Sequence, residues 1–145
     1  MSMSDSSPRA VLFLCNRNAI RSAMAAALLD QLAGGATHVE SAGVTPGEPD
    51  PLSQVVLDEA GLGAPPPPRH VDTIKLGRFD LIVALSPQAQ HRALELTRNL
   101  PVPVEFWQVA DPSLVDGSRE QRLAAYRAVR DDLRDKVKDR FPTST

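Results

Sequence analysis

The single cysteine of the chain, Cys15, is followed six residues later by Arg21 and then by Ser22, in the run CNRNAIRS. These residue types suit attack by sulfur on an oxyanion. A thiolate is a strong nucleophile. The planar guanidinium of Arg21 can hold two oxygens of one anion at once. The Ser22 hydroxyl can donate to a thiolate or cap a helix. Asn18 tolerates the left-handed backbone that a tight anion-wrapping loop requires. There is a plainer reading: a lone cysteine at the end of an apolar run also serves as a small buried hydrophobe, and an arginine at a fixed offset arises by chance in an Arg-rich chain. The balance between the two rests on the elements that carry the run.

Those elements are legible. Ala10–Leu14 (AVLFL) is a continuous apolar stretch, as expected of a strand buried on both faces of a parallel sheet. A helix starts at Ser22, rich in alanine, with Ile20, Met24, Leu28 and Leu32 at helical spacing, and Gly34-Gly35 ends it. Cys15 therefore lies between a buried strand and a helix N-terminus, where unpaired N–H groups and the helix dipole favour an anion. Further on, His38–Val44 reads as a strand and Pro51–Ala60 as a helix stopped by Gly61. Pro65–Pro68 is a stiff extended connector, and Asp80–Leu85 is a third strand. Ser86-Pro87 opens a helix that runs to about Arg98, and Val102–Trp107 is a fourth strand. Asp111-Pro112 lies in the next loop. Gly117-Ser118 precedes a last helix with Leu123, Tyr126, Leu133 and Val137 as its apolar stripe. Alternating strands and helices predict an α/β doubly wound domain, with ligands beyond the carboxyl ends of the strands, which is where CNRNAIRS falls.

Composition narrows the class. A chain of 145 residues makes one domain, expected over residues 9–145 behind a disordered tail of residues 1–8. A net charge of −2 gives no bulk field for nucleic acid or an anionic membrane surface. No apolar run approaches the roughly 20 residues that span a bilayer, and the polar start lacks a signal-peptide core. A lone cysteine forms no internal disulfide, so the expected location is cytoplasmic.

The pattern C-x5-R-S between first strand and first helix resembles that of the low-molecular-weight protein tyrosine phosphatase family, which also includes thiol-dependent arsenate reductases. VLFLCNRNAIRSAMAAALL is similar to the family's opening segment, Ser41–Gly43 (SAG) to the end of its second strand, and RFDLIVALS to its third. Asp111-Pro112 and Gly117–Leu133 are similar to its late Asp-Pro and final helix. The resemblance implies a three-layer fold: a four-stranded parallel sheet of order 2-1-3-4 with helices on both faces. It implies that Cys15 attacks phosphorus, that Arg21 clamps the equatorial oxygens, and that Asp111 protonates the leaving oxygen and later activates water. The loop from Asn16 through Arg17, Asn18, Ala19 and Ile20 to Ser22 would bind substrate. Asn18, Ser22, Ser41 and His70 match a polar network that shapes this loop in the family. No metal or cofactor is implied.

The chain departs from that pattern in several places. Arg17 stands where the family usually has glycine, so it adds positive charge at the mouth or narrows it. Ile20 replaces a second loop cysteine, and the small Ala19 occupies a position that tunes substrate choice. Ser113, Leu114 and Val115 stand where aromatic residues stack on phosphotyrosine in eukaryotic-type members. The leading expectation is a phosphatase that hydrolyses phosphomonoesters, including those on proteins, through phosphocysteine. The first alternative is an arsenate reductase. With no further cysteine for an internal relay, it would need an external thiol or redoxin as partner. The second alternative is a non-catalytic oxyanion sensor.

Overall fold

The computed structural model describes residues 8–142; residues 1–7 of the expected tail lie outside the described residues. Four strands form one parallel sheet: β1 (Ala10–Cys15), β2 (His38–Gly43), β3 (Leu81–Ala84) and β4 (Val104–Phe106), in the order β2-β1-β3-β4. Four helices connect and follow them: α1 (Arg21–Ala33), α2 (Pro51–Glu59), α3 (Pro87–Leu96) and α4 (Arg119–Arg140). The three-layer order 2-1-3-4 implied by the resemblance is the order found.

The period-two alternation of β1 explains the layers. Val11, Phe13 and Cys15 pack with Met24 and Leu28 of α1, Val56 and Leu57 of α2, and Leu123, Tyr126 and Leu133 of α4. Leu12 and Leu14 face the other way, onto Ala89 and Ala93 of α3 and the 70s segment at Val71, Leu76 and Phe79. All five residues from Val11 to Cys15 are buried, which accounts for the unbroken apolar run. The chain leaves β1 for β2 on one side and returns to β3 on the other. The carboxyl end of β1 is therefore the switch point at which open α/β sheets bind ligands.

Some boundaries are tighter than the sequence pattern predicts. β4 spans Val104–Phe106 rather than Val102–Trp107, because Pro101 and Pro103 have no N–H for the ladder. α3 closes at Leu96, where the Thr97 hydroxyl turns back to donate to the Ala93 carbonyl at 2.8 Å. The connector through Pro65–Pro68 has no regular element, as expected. No helix of the described residues is long and apolar enough to cross a membrane.

Helices α2 and α4 are tied by a charge cluster. Arg127 donates from Nε and Nη2 to the Glu59 carboxylate, Nη2 at 2.8 Å, and Arg130 Nη1 adds a contact at 3.0 Å. Hydrogen bonding from Arg127, with Arg130 adding to it, holds the Glu59 carboxyl down at about 2, below its ordinary 4.5. A depressed carboxyl stabilises the fold above its unfolded value and loses that contribution as pH falls through the folded one. Between pH 4.5 and 2 the melting temperature of wild type is therefore expected to fall more steeply than that of Glu59→Gln. Parallel melting curves across that window check this, and equal slopes would refute it.

Candidate active site

Cys15 is the last residue of β1 and is 2% exposed. Its Sγ lies 3.0 Å from Ser22 Oγ, in a bond that either group can donate, and accepts from the Asn18 amide at 3.3 Å. Asn18 has φ of 57°, the one positive φ among described non-glycine residues. Its side chain donates from Nδ2 to Ser22 Oγ at 2.9 Å and accepts at Oδ1 from the Arg69 amide at 3.0 Å. The loop is thus braced from inside by Ser22 and from outside by the chain that returns toward β3.

Neighbouring backbone takes up the loop's carbonyls. The carbonyl oxygens of Cys15, Asn16 and Arg17 accept from the amides of Val44, Thr45 and Gly47 at 3.0, 2.7 and 3.0 Å. Of the loop's own N–H groups, that of Asn18 turns inward to Cys15 Sγ, while the turn into α1 keeps the unpaired amides of a helix N-terminus. The start of α1 continues this supply of donors. Ile20 occupies its N-cap without a capping side chain, whereas Asp50, Ser86 and Ser118 cap α2, α3 and α4. An anion bound at the loop would fill the role of the missing cap. Asn16 is fixed separately, its Oδ1 accepting from Ser86 Oγ at 2.7 Å.

Arg21 reaches from the first turn of α1 across the loop. Its Nη1 donates to the carbonyls of Leu85 and Val109, both at 3.2 Å, and its Nη2 lies 3.8 Å from Asp111 Oδ2. Asp111 Oδ1 is held by the amide and hydroxyl of Ser113 at 3.0 and 2.6 Å, which leaves Oδ2 toward Arg21. These groups wall a cleft of about 370 Å³ together with Arg17, Glu48, Asp50 and Leu114. That volume lies within the range of small-ligand sites, about 300–1,000 Å³.

The expected site residues therefore meet, with three adjustments. The His70 side chain does not join the loop network. Its Nδ1 instead accepts from the Asp72 amide at 3.0 Å, and the bond to Asn18 comes from the backbone of the preceding residue, Arg69. Ser41 meets the network only through its carbonyl, which accepts from Arg69 Nε at 3.4 Å. The Ile20 side chain turns into the core, so its offer to a ligand is backbone alone. Arg17 has no positive φ, which explains why glycine is not required there. Its side chain is exposed and lies over Gly47 at the cleft edge.

Sequence reasoning missed Asp50 and Gly43. Asp50 caps α2 through Oδ1 and accepts from the Tyr126 hydroxyl through Oδ2 at 2.9 Å. Burial, and then the Asp50 carboxylate, push the Tyr126 phenol upward, so it stays a donor. The Asp-Pro pair at Asp50-Pro51 is a cap signal that would have found the first of these roles. The bracing predicts the effect of Asn18→Ala. It removes two side-chain hydrogen bonds and puts alanine in left-handed backbone, a loss of about 1–3 kcal/mol by urea unfolding.

A cysteine at the head of a strand-to-helix loop, at the switch point of a 2-1-3-4 parallel sheet, is the arrangement of a class of enzymes in which a cysteine works on oxyanions, by phosphoryl transfer or arsenate reduction. Comparison with known proteins narrows this. The chain belongs to the low molecular weight phosphotyrosine protein phosphatase family, which it matches over residues 10–143. It is 31% identical over 140 residues to a protein-arginine-phosphatase of Geobacillus stearothermophilus, covering 87% of this chain and 89% of the relative. It is 28% identical over 130 residues to an arsenate reductase of Bacillus subtilis, covering 89% and 92%. Among solved structures, an arsenate reductase of Archaeoglobus fulgidus superposes with a TM-score of 0.71 at 33% identity, covering 89% of this chain and 96% of that one.

Proposed function

We propose that this chain is a phosphatase that hydrolyses phosphomonoesters through a phosphocysteine intermediate. The observation that carries the reading is Asp111 Oδ2, 3.8 Å from Arg21 and in the same cleft as Cys15. Phosphoester hydrolysis needs an acid for the leaving group beside the clamp that holds the phosphoryl oxygens. In this reading Cys15 Sγ bonds to phosphorus as the P–O bond to the leaving group breaks, and Asp111 gives that oxygen its proton. Arg21 and the loop amides from Asn16 to Ser22 hold the other oxygens throughout. Asp111 then takes a proton from water, which attacks phosphorus, releases phosphate and restores the thiolate. No step calls for a metal or cofactor.

Arsenate reduction is the second reading, favoured by relatives that carry that name. The chain has one cysteine, so after Cys15 bonds to arsenic the electrons would come from an external thiol or redoxin. Two assays run side by side separate the readings. In the first, reduced protein is mixed with para-nitrophenyl phosphate and Asp111→Asn is quenched for intact mass. In the second, arsenate-dependent oxidation of added thiols is followed. The phosphatase reading expects steady nitrophenol release and a phosphoryl adduct on Cys15. Thiol oxidation without nitrophenol release would replace it with the reductase reading. Silence in both assays, with phosphate still raising the melting temperature, would leave an oxyanion sensor.

A further inference from the structure

Between Gly63 and Pro68 no backbone hydrogen bond joins the connector to the rest of the fold among the described residues, and four of its residues are prolines without an N–H. Arg69 is the first residue after it to be tied down, and its amide is the one that donates to Asn18 Oδ1 at 3.0 Å. The place of that amide is set from one side only, by what Arg69 and the residues after it grip. Arg69 grips β2 at three points. Its carbonyl accepts from the Gly43 amide at 2.9 Å, its Nε donates to the Ser41 carbonyl at 3.4 Å, and its Nη2 pairs with Glu40 Oε1. Of these partners on β2, Glu40 alone acts through a side chain. Its carboxylate is 12% exposed and also meets His38 Nε2 and, at 3.3 Å, Arg78 Nη2. Burial works to raise the Glu40 carboxyl, but the bonds from His38 and Arg69 outweigh it and hold the group below its ordinary 4.5, so it is an anion at neutral pH.

We infer that Glu40 is a positioning residue for the anion-binding loop: its ion pair with Arg69 holds the main-chain amide that fixes Asn18, and so sets the shape in which the loop receives an oxyanion. A line of contacts runs from the carboxylate to the nucleophile. Glu40 holds Arg69, the Arg69 amide holds Asn18, Asn18 Nδ2 donates to Ser22 Oγ at 2.9 Å, and Ser22 Oγ lies 3.0 Å from Cys15 Sγ. Asn18 is where a shift would tell most. It stands in left-handed backbone, which asparagine tolerates and does not seek, and its own amide donates to the sulfur. The planar fork of Arg69 meets Glu40 and Ser41 together, which leaves the residue little freedom. Arg78 shares the Glu40 carboxylate but has no hydrogen bond to the loop among the described residues, so it separates a plain ion pair from a positioning one. The role goes beyond the phosphatase reading, because the loop would hold phosphate or arsenate alike.

The test compares Glu40→Ala, Glu40→Gln and Arg69→Lys with Arg78→Ala, and repeats Glu40→Ala on Asn18→Ala. Affinity for inorganic phosphate is read from protection of Cys15 against iodoacetamide, which needs no turnover. The kcat and KM for para-nitrophenyl phosphate are measured beside it, and urea unfolding records stability. The expected result for Glu40→Ala is about tenfold weaker phosphate binding and a similar fall in kcat/KM, a fraction of what a full ångström of misplacement costs. Glu40→Gln keeps an oxygen for Arg69 and should lie between that variant and wild type. Arg69→Lys keeps the charge, loses the fork, and should fall with Glu40→Ala. Arg78→Ala should stay within about twofold of wild type, and on Asn18→Ala the Glu40 change should weaken phosphate by less than about twofold, whatever it does to stability. Equal losses in Arg78→Ala and Glu40→Ala, the full loss on Asn18→Ala, or wild-type phosphate binding in Glu40→Ala would each overturn the positioning role. If Glu40→Ala does not fold, Glu40→Gln and Arg69→Lys carry the same comparison. The expected pattern of protection without any turnover would uphold the role of Glu40 and overturn the phosphatase reading.

Discussion

Cys15→Ser is expected to lower kcat for para-nitrophenyl phosphate by about 10⁴-fold or more. A serine hydroxyl becomes a useful nucleophile only with a general base beside it. The atoms that contact Cys15 Sγ are Ser22 Oγ and the Asn18 amide, both of them donors or neutral. Ionised sulfur needs no such base, so on the phosphatase reading cysteine serves here where its oxygen analogue would not. The fold has little reason to respond, because the replacement is nearly isosteric and its hydroxyl inherits the same two partners. The melting temperature should move by no more than about 3 °C, the equivalent of about 1 kcal/mol in a domain of this size. Stabilisation by inorganic phosphate should persist, since the loop amides and Arg21 remain. Steady-state rates with melting curves in the presence and absence of phosphate check all three points. A serine variant within tenfold of wild type would move the nucleophile away from residue 15.

The second large effect is expected at a residue with no reactive group. Gly43 is the register partner of Cys15 in the sheet, and its amide donates to the Arg69 carbonyl at 2.9 Å. A Cβ at this position would stand 2.8 Å from Arg17 C and Asn18 N, and 2.9 Å from the Asn16 carbonyl oxygen. All three are backbone atoms of the loop, so no rotamer change relieves the overlap. The sheet holds residue 43 on one side and the His70 bridge holds it on the other, so the loop must shift. Gly43→Ala is therefore expected to cost about 1–3 kcal/mol by urea unfolding. It should also lower kcat/KM about 100-fold, the scale of an ångström-level misplacement of reacting groups. Gly77→Ala is the control: its Cβ would meet nothing closer than Leu100 Cδ2 at 4.0 Å. It should leave both measurements near wild type. Equal behaviour of the two variants would remove the argument from close approach.

What could be read in the sequence and what could not divide along a physical line. The apolar run Ala10–Leu14 is visible because a central parallel strand is buried on both faces, and the run is long enough to stand out. Cys15, Arg21 and Ser22 are visible because one strand-to-helix turn carries all three. The alternating pattern predicts a parallel sheet, whereas its strand order was available only through the family resemblance, since periodicity carries no order. The groups that finish the site are backbone: the Arg69 amide on Asn18, and the Leu85 and Val109 carbonyls on Arg21. Any residue supplies those atoms, so no side-chain signature marks them. The expectation at His70 is displaced for that reason: the contact to Asn18 belongs to the main chain one position earlier, and the imidazole bonds the Asp72 amide. Gly43 lay inside the matched SAG segment, but the reason for its missing side chain is a distance to another part of the chain.

The single thiol has a practical consequence. Because Cys15 is the sole cysteine and lines the cleft, any reagent that counts sulfhydryl groups on this chain also counts clefts. Its burial at 2% exposure means that a bulky alkylating agent should react slowly, and inorganic phosphate in the loop should slow it further. The ratio of labelling with and without phosphate therefore gives occupancy directly, without a substrate. The share of labelling that phosphate slows gives the fraction of a preparation whose loop is folded, the denominator that every rate constant for this protein will require.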